Sequence, residues 1–384
     1  MASYKRWRGA FQFWGRFSQP PFWTVFALTL TETVGAGILA LPIALAGVGP
    51  LPGVAILIVL GLVNMWLLRR DTLDATVASA LVIGVVNIAL ILALSLLALT
   101  HLKPAHLLYA NVPLLGGRPF DASILQLIFG VVLLAYFGHL SVNNCARNVL
   151  RRDPSARSLV WGAVAAQAVA MALYCLWTLA VNGAIAPQAL AGQPGTALAP
   201  LAAEIGPIVH VLGAVFVVLG MGMGTVHSSW PLFNLVRERL PANPRRRLLG
   251  ERGRFLLSAL PVLLVFLLAE WTLLIGKGTF AAPLSFLGVI VISLLGGMFP
   301  VLLLLASRCK GGIVSCALGR VLGRPALTTG LYLLYLAGLF LHGLVIWENP
   351  VQRVAALAVG VVMLGLTTAL LRRGTFVGPK PGLL

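Results

Sequence analysis

The residue best placed to do chemistry is a carboxylate where water is scarce. Glu32 stands inside an apolar run, in the segment Thr31-Glu32-Thr33-Val34-Gly35-Ala36-Gly37-Ile38-Leu39-Ala40-Leu41-Pro42. An acidic group within a membrane-length apolar run is costly to hold there, and it marks an ion pathway or a proton relay. The competing reading is a structural carboxylate, paired for example with a histidine on another helix. The same segment carries two glycines and a proline. Inside a helix, glycine costs about 1 kcal/mol against alanine and proline about 3 kcal/mol. Irregular backbone at membrane depth is tolerated only where it is buried in protein or lines a cavity. Broken helices near the midplane point to a transporter's binding site. A plain small-residue packing interface is the alternative, and Pro42 together with Glu32 favours the site.

Two later segments carry similar punctuation. Ala135-Tyr136-Phe137-Gly138-His139-Leu140-Ser141-Val142-Asn143-Asn144 closes an apolar run with a glycine, a histidine and polar residues. Taken alone, it reads as an ordinary helix end near the cytoplasmic interface, with Tyr136 as the interfacial anchor. Gly220-Met221-Gly222-Met223-Gly224-Thr225-Val226-His227-Ser228-Ser229 places three alternating glycines before hydroxyls and a histidine. Hydroxyls facing an unwound neighbour can ligate Na⁺; equally, they can bond back to their own backbone in a packed helix. Asn64 and Asn87 read as interhelical hydrogen-bonding residues. His210 and His342 read as satisfied within a bundle, and Glu270 as an interfacial residue. The cysteines, Cys145, Cys175, Cys309 and Cys316, lack Cys-x-x-Cys spacing and read as packing residues. No Asp-rich pair, His-rich metal cluster or nucleophile beside a base stands within the apolar runs, so neither an enzyme nor a cofactor is expected.

These residues must be held by the apolar runs themselves. The chain has 384 residues, 59% hydrophobic and only 10% charged, against about 25% charged in soluble domains. A span needs roughly 20 apolar residues, and ten candidates follow: 22–47, 51–68, 75–100, 122–145, 158–182, 207–235, 255–276, 282–307, 325–347 and 351–371. Backbone polar groups in lipid must be satisfied internally, so helices are expected; the runs are too long for barrel strands. Of the 28 Lys and Arg, 24 fall in the segments that lie inside if the N-terminus is inside, and 4 outside. By the positive-inside rule both termini are cytoplasmic. The net charge of +18 is therefore topological, and no nucleic-acid partner is expected. The predicted organisation is a basic cytoplasmic N-terminus over 1–21, retained rather than cleaved, a transmembrane domain over 22–371, and a cytoplasmic tail over 372–384.

The chain resembles the amino acid/auxin permease branch of the amino acid–polyamine–organocation transporter superfamily. The resemblance is carried by Val34 to Pro42, by Gly47-Val48-Gly49-Pro50, and more loosely by Tyr136 to Ser141 and Gly220 to Ser229. It implies an all-α bundle of two inverted five-helix repeats, with the first helix of each repeat unwound at the midplane. By the same analogy, amides at Gly35, Ala36 and Gly37 hold a substrate carboxylate, as helix N-termini do for anions. Carbonyls near Phe137 and Gly138 take its amine, and Tyr136 or Phe137 lines the side-chain pocket. Thr225, Ser228 and Ser229 fall where a sodium-site hydroxyl can stand, and Glu32 or His139 would serve proton coupling. The chain departs from the family near residue 66: Leu60 to Met65 looks like the start of family helix two, and Trp66 to Asp71 like the end of helix four. About two spans are absent there, leaving three spans in the first repeat. The implied function is proton- or sodium-coupled amino acid transport across the cytoplasmic membrane. The alternative is a truncated, non-transporting relative with a scaffold or regulatory role.

Overall fold

A computed structural model describes residues 20–33, 51, 55, 77–111, 125–138, 142, 145–191, 193, 195–240, 253–261, 263–264, 281–309 and 324–372. The longer elements among them are α1 (Pro21–Thr33), α2 (Val77–Leu99), α3 (Pro104–Leu107), α4 (Leu125–Ala135), α5 (Ala146–Arg152), α6 (Arg157–Ala184), α7 (Pro187–Leu190), α8 (Leu198–Ile205), α9 (Ile208–Arg239), α10 (Ala281–Leu287), α11 (Phe299–Cys309), α12 (Pro325–Leu341) and α13 (Pro350–Arg372). No strand occurs among the described residues. Between α10 and α11 the chain is π-helical from Gly288 to Met298, and α12 runs on as a π-helix from His342 to Ile346.

Four stretches are long and apolar enough to cross a membrane: Arg157–Ala184, Pro283–Ala306, Pro325–Ile346 and Pro350–Arg372. Shorter apolar helices lie at Pro21–Leu30, Ile83–Leu99, Leu125–Ala135 and Ile208–Val217. Each of these eight overlaps one of the expected spans; five lie inside them, and Pro21–Leu30, Arg157–Ala184 and Pro350–Arg372 overrun theirs by one or two residues. Most of the expected spans 51–68 and 255–276 lies outside the described residues, as does the junction at Met65-Trp66. The outward face of α13 explains why a bilayer is needed: Val351, Val354, Val361 and Val362 are all at least 60% exposed. A contiguous apolar face of this kind is not held against water. The chain is an all-helical membrane protein with several membrane-length helices.

Two apolar cores organise the bundle. The first gathers Leu30, Ile91, Leu94, Val131, Ala135, Tyr136, Ala166, Ala170, Tyr174 and Trp177, and so joins α1, α2, α4 and α6. Small residues let α1 and α6 pack closely, since a Cβ on Gly162 would meet the Phe22 carbonyl and Val25 Cβ at 2.8 Å. The second core joins the π-helical stretch, α12 and α13 through Val289, Ile292, Met298, Tyr335, Leu339 and Met363. Helix α4 serves both: Ile128, Val131 and Val132 enter the first core and Leu133 the second. Its seam with α10 is backbone on backbone. A Cβ on Gly130 would stand 2.6 Å from Ser285 Cα, one on Gly288 would stand 2.5 Å from the Gly130 carbonyl carbon, and Ser285 Oγ donates to the Gln126 carbonyl at 2.5 Å.

The two ends of α6 are tied down differently. At one end the loop after α2 caps it: Lys103 N donates to the Gly183 carbonyl at 2.9 Å, and His106 Nδ1 lies 3.1 Å from the same oxygen. Lys103 also pairs with Glu204 at 2.7 Å, a bond that holds the Glu204 carboxyl below its ordinary pKa. At the other end Asp153 accepts from Ser155 N at 3.1 Å and from Ser158 N at 2.7 Å, and the Ser155 hydroxyl also donates to it. The bonds to Ser155 and Ser158 pull the Asp153 carboxyl down to about 2. Because the folded-state pKa is depressed, this contribution is complete above about pH 4, the unfolded carboxyl value, and is lost as pH falls through about 2. Asp153→Ala is expected to cost about 1 kcal/mol at neutral pH, the usual worth of such a cap. Thermal unfolding at pH 7 and at pH 2 should show the variant and the parent converging in acid; a gap independent of pH would refute the cap.

Candidate functional site

Regular helix is interrupted where α4 stops. Eleven residues of regular helix end at Ala135, and Tyr136, Phe137 and Gly138 are not helical. Phe137 N–H turns onto the Leu134 carbonyl at 3.0 Å, and Gly138 N–H folds back onto the Tyr136 carbonyl at 3.0 Å. Val142 is helical again, its N–H on the Gly138 carbonyl at 3.4 Å, and α5 runs from Ala146. Counting from Leu125 at 1.5 Å per residue, the break lies roughly 16 Å along the helix, about half the thickness of a hydrocarbon core of about 30 Å.

The carbonyls at this broken end are claimed by side chains of α6. Tyr174 hydroxyl donates to the Ala135 carbonyl at 2.6 Å. Gln167 Nε2 donates to the Tyr136 carbonyl at 3.3 Å. Both side chains are fully buried, and both lie on one face of α6, two turns apart. The Tyr136 and Tyr174 rings meet edge to face at 5.0 Å, a favourable aromatic geometry. This corrects one expectation. Tyr136 is no interfacial anchor, because its side chain is completely buried. The carbonyls taken up by α6 side chains are those of Ala135 and Tyr136, two residues before the pair named from the resemblance, and the Gly138 carbonyl accepts Val142 N–H at 3.4 Å.

The other expected site residues divide into those described and those not. Glu32 lies half-buried in the last turn of α1. Gly35, Ala36, Gly37 and His139 lie outside the described residues, as do Asn64 and Glu270. Thr225, Ser228 and Ser229 fall on α9, which runs unbroken through Gly220, Gly222 and Gly224. His210 is exposed rather than bundled. His342 is buried, with Nδ1 2.7 Å from the Gly338 carbonyl and its ring between Phe129 at 5.4 Å and Trp347 at 5.2 Å. Cys145 is buried and Cys175 partly buried, as packing residues are. No group of three or more His, Cys, Asp or Glu able to hold a metal occurs among the described residues.

Sequence reasoning missed Tyr174 and Gln167. The available signal was a glutamine and a tyrosine seven residues apart in the apolar run 158–182, a spacing that repeats on one helix face. Asn87, read as an interhelical hydrogen-bonding group, is fully buried, yet neither atom of its amide has a partner among the described residues. Compared with known proteins, the chain matches no family model and no curated protein.

Proposed function

We propose that this protein is a secondary active transporter of amino acids, built on the inverted-repeat plan with about ten spans and an incomplete first repeat. Substrate sits between the first and fourth spans, and transport is driven by a proton or sodium gradient. The chemistry is binding and conformational change, with no covalent step. The observation that carries this reading is the interruption at Tyr136–Gly138, buried roughly halfway along an apolar span. A bilayer-embedded chain keeps irregular backbone of this kind only where protein or a cavity receives it, and such breaks mark binding sites in transporters. The half-buried Glu32 in the last turn of α1 adds the carboxylate that proton coupling requires. The residues that resemble amino acid permeases, Val34 to Pro42 above all, supply the substrate class. Both termini are assigned to the cytoplasm from the distribution of Lys and Arg.

The test is uptake of labelled amino acids into proteoliposomes under an imposed proton or sodium gradient. Gradient-dependent accumulation is expected; its absence, where an intact permease moves the same substrate, would end the transport reading. Within this test, Glu32→Gln is expected to flatten the pH dependence of uptake, because the amide cannot exchange the coupling proton. An unchanged pH profile removes Glu32 from the mechanism.

One observation favours the second reading, a non-transporting relative with a scaffold or regulatory role. Tyr174 and Gln167 already occupy the carbonyls at the break, as they would in a permanently closed bundle. Thermal unfolding with amino acids present separates the two, since a working site is stabilised by its ligand through mass action and a closed scaffold is not.

A further inference from the structure

We infer that the Asn87 amide is a ligand-contacting group of the mid-membrane site, and that it selects amino acids whose side chain carries a neutral carboxamide or hydroxyl. The inference rests on the transporter reading above and adds the substrate class to it.

Asn87 is fully buried on α2. Both Nδ2 and Oδ1 lack a hydrogen-bond partner among the described residues. A primary amide offers two donors and two acceptor positions, and a buried amide left unpaired is strongly penalised. Its position explains what could complete it. Helix α2 packs against α1, α6 and α9, and the next turn of the same face carries Ile91, which shares a core with Leu30, Ala135, Tyr136 and Tyr174. The bonds from Lys103 and His106 to the Gly183 carbonyl set the end of α2 level with the end of α6. Asn87 is twelve residues back from Leu99, roughly 18 Å at 1.5 Å per residue. Tyr174 and Gln167 lie roughly 15 and 26 Å back from Ala184 on the same measure. Asn87 therefore stands at the depth of the two side chains that hold the break in α4.

The chemistry of the amide narrows the ligand. The carboxylate of an amino acid is acceptor only, and its ammonium is donor only; amides and backbone carbonyls suit these. Asn87 presents donor and acceptor together, and a carboxamide or hydroxyl answers both. A leucine-like side chain of similar size would leave the amide unpaired in the bound state, the situation in which buried polar sites discriminate most strongly.

The experiment is thermal unfolding of the purified full chain titrated with L-asparagine, L-glutamine and L-serine against L-leucine and L-methionine, for the parent, Asn87→Leu and Asn87→Ser. The parent is expected to respond to the carboxamide amino acids at concentrations about tenfold or more below those needed for leucine. Asn87→Leu should reverse that preference. It should also unfold at a higher temperature than the parent without ligand, because a near-isosteric apolar group replaces an unpaired amide; a structural hydrogen-bonding role would instead lower it. If Asn87→Leu does not accumulate as folded protein, Asn87→Ser carries the comparison, with the carboxamide preference reduced at least about threefold. A preference unchanged by either substitution overturns the inference and leaves the transporter reading standing. If no amino acid stabilises the parent, both are overturned.

Discussion

Replacing Gly288 by valine should be among the most damaging single changes in the described bundle. The Cβ would meet the Gly130 carbonyl carbon at 2.5 Å and Gly130 Cα at 2.8 Å. These are backbone atoms of α4, so no side chain can rotate aside. The reciprocal position is equally closed, because a Cβ on Gly130 faces Ser285 Cα and its carbonyl carbon at 2.6 and 2.7 Å. Relief requires α4 and the π-helical stretch to separate, which would strip the Ser285 bond to Gln126 and open the second core at Leu133 and Val289. Overpacking commonly costs about 1–3 kcal/mol, and a backbone-only contact belongs at the upper end. Gly365→Ala serves as the control. Its Cβ meets nothing within 4 Å, and the alanine should stabilise α13 by up to about 1 kcal/mol. Unfolding in detergent, followed by heat or denaturant, measures both. Equal effects of the two substitutions would disprove the close approach.

Tyr174→Phe is the second large effect, and it acts through a single oxygen. Phenylalanine keeps the ring and its edge-to-face contact with Tyr136 but loses the hydroxyl that donates to the Ala135 carbonyl at 2.6 Å. A buried carbonyl robbed of its partner costs about 1–3 kcal/mol. Gln167→Leu should cost less. Its bond to the Tyr136 carbonyl is longer, at 3.3 Å, and that oxygen also accepts Gly138 N–H. The expected order is thus Tyr174→Phe above Gln167→Leu in loss of stability, with faster amide hydrogen exchange confined to residues around 130–138. If Gln167→Leu proves the more damaging, or exchange at the break is unaltered by Tyr174→Phe, the carbonyl clamp is not what holds the broken end.

These results concern contacts that join distant parts of the chain, and they mark the limit of what could be read beforehand. The membrane class was legible because it depends on composition and run length alone. The run 75–100 coincides with α2 to within two residues at each end, and 158–182 lies wholly within α6. Tyr136 to Gly138 was legible as an irregular segment because glycine and polar residues interrupt an apolar helix. What the segment does was not legible. Composition suggested an interface, whereas packing against α6 buries Tyr136 fully, with Gly138 buried and Phe137 partly buried beside it. The glycines of α9 left a sodium site and a packed helix equally open, and the helix runs unbroken through them: a glycine lowers helix propensity by about 1 kcal/mol, which long-range packing and the obligatory backbone pairing of a membrane helix override.

The sequence by itself therefore determined that this is a helical membrane protein, because hydrophobicity is a local, additive property that a bilayer reads residue by residue. It also marked Ala135 to Asn144 as the close of an apolar helix, because backbone propensity is local too, although glycines at Gly220 to Gly224 leave α9 unbroken. The tertiary structure alone decided which groups take up the freed carbonyls, which glycines meet backbone, and which buried amide is left unpaired. Those outcomes depend on the juxtaposition of residues dozens to more than a hundred positions apart, such as Tyr174 with Ala135 and Ser285 with Gln126. No local pattern specifies them, because a hydrogen bond exists only when two separate helices are set at one depth and one rotation.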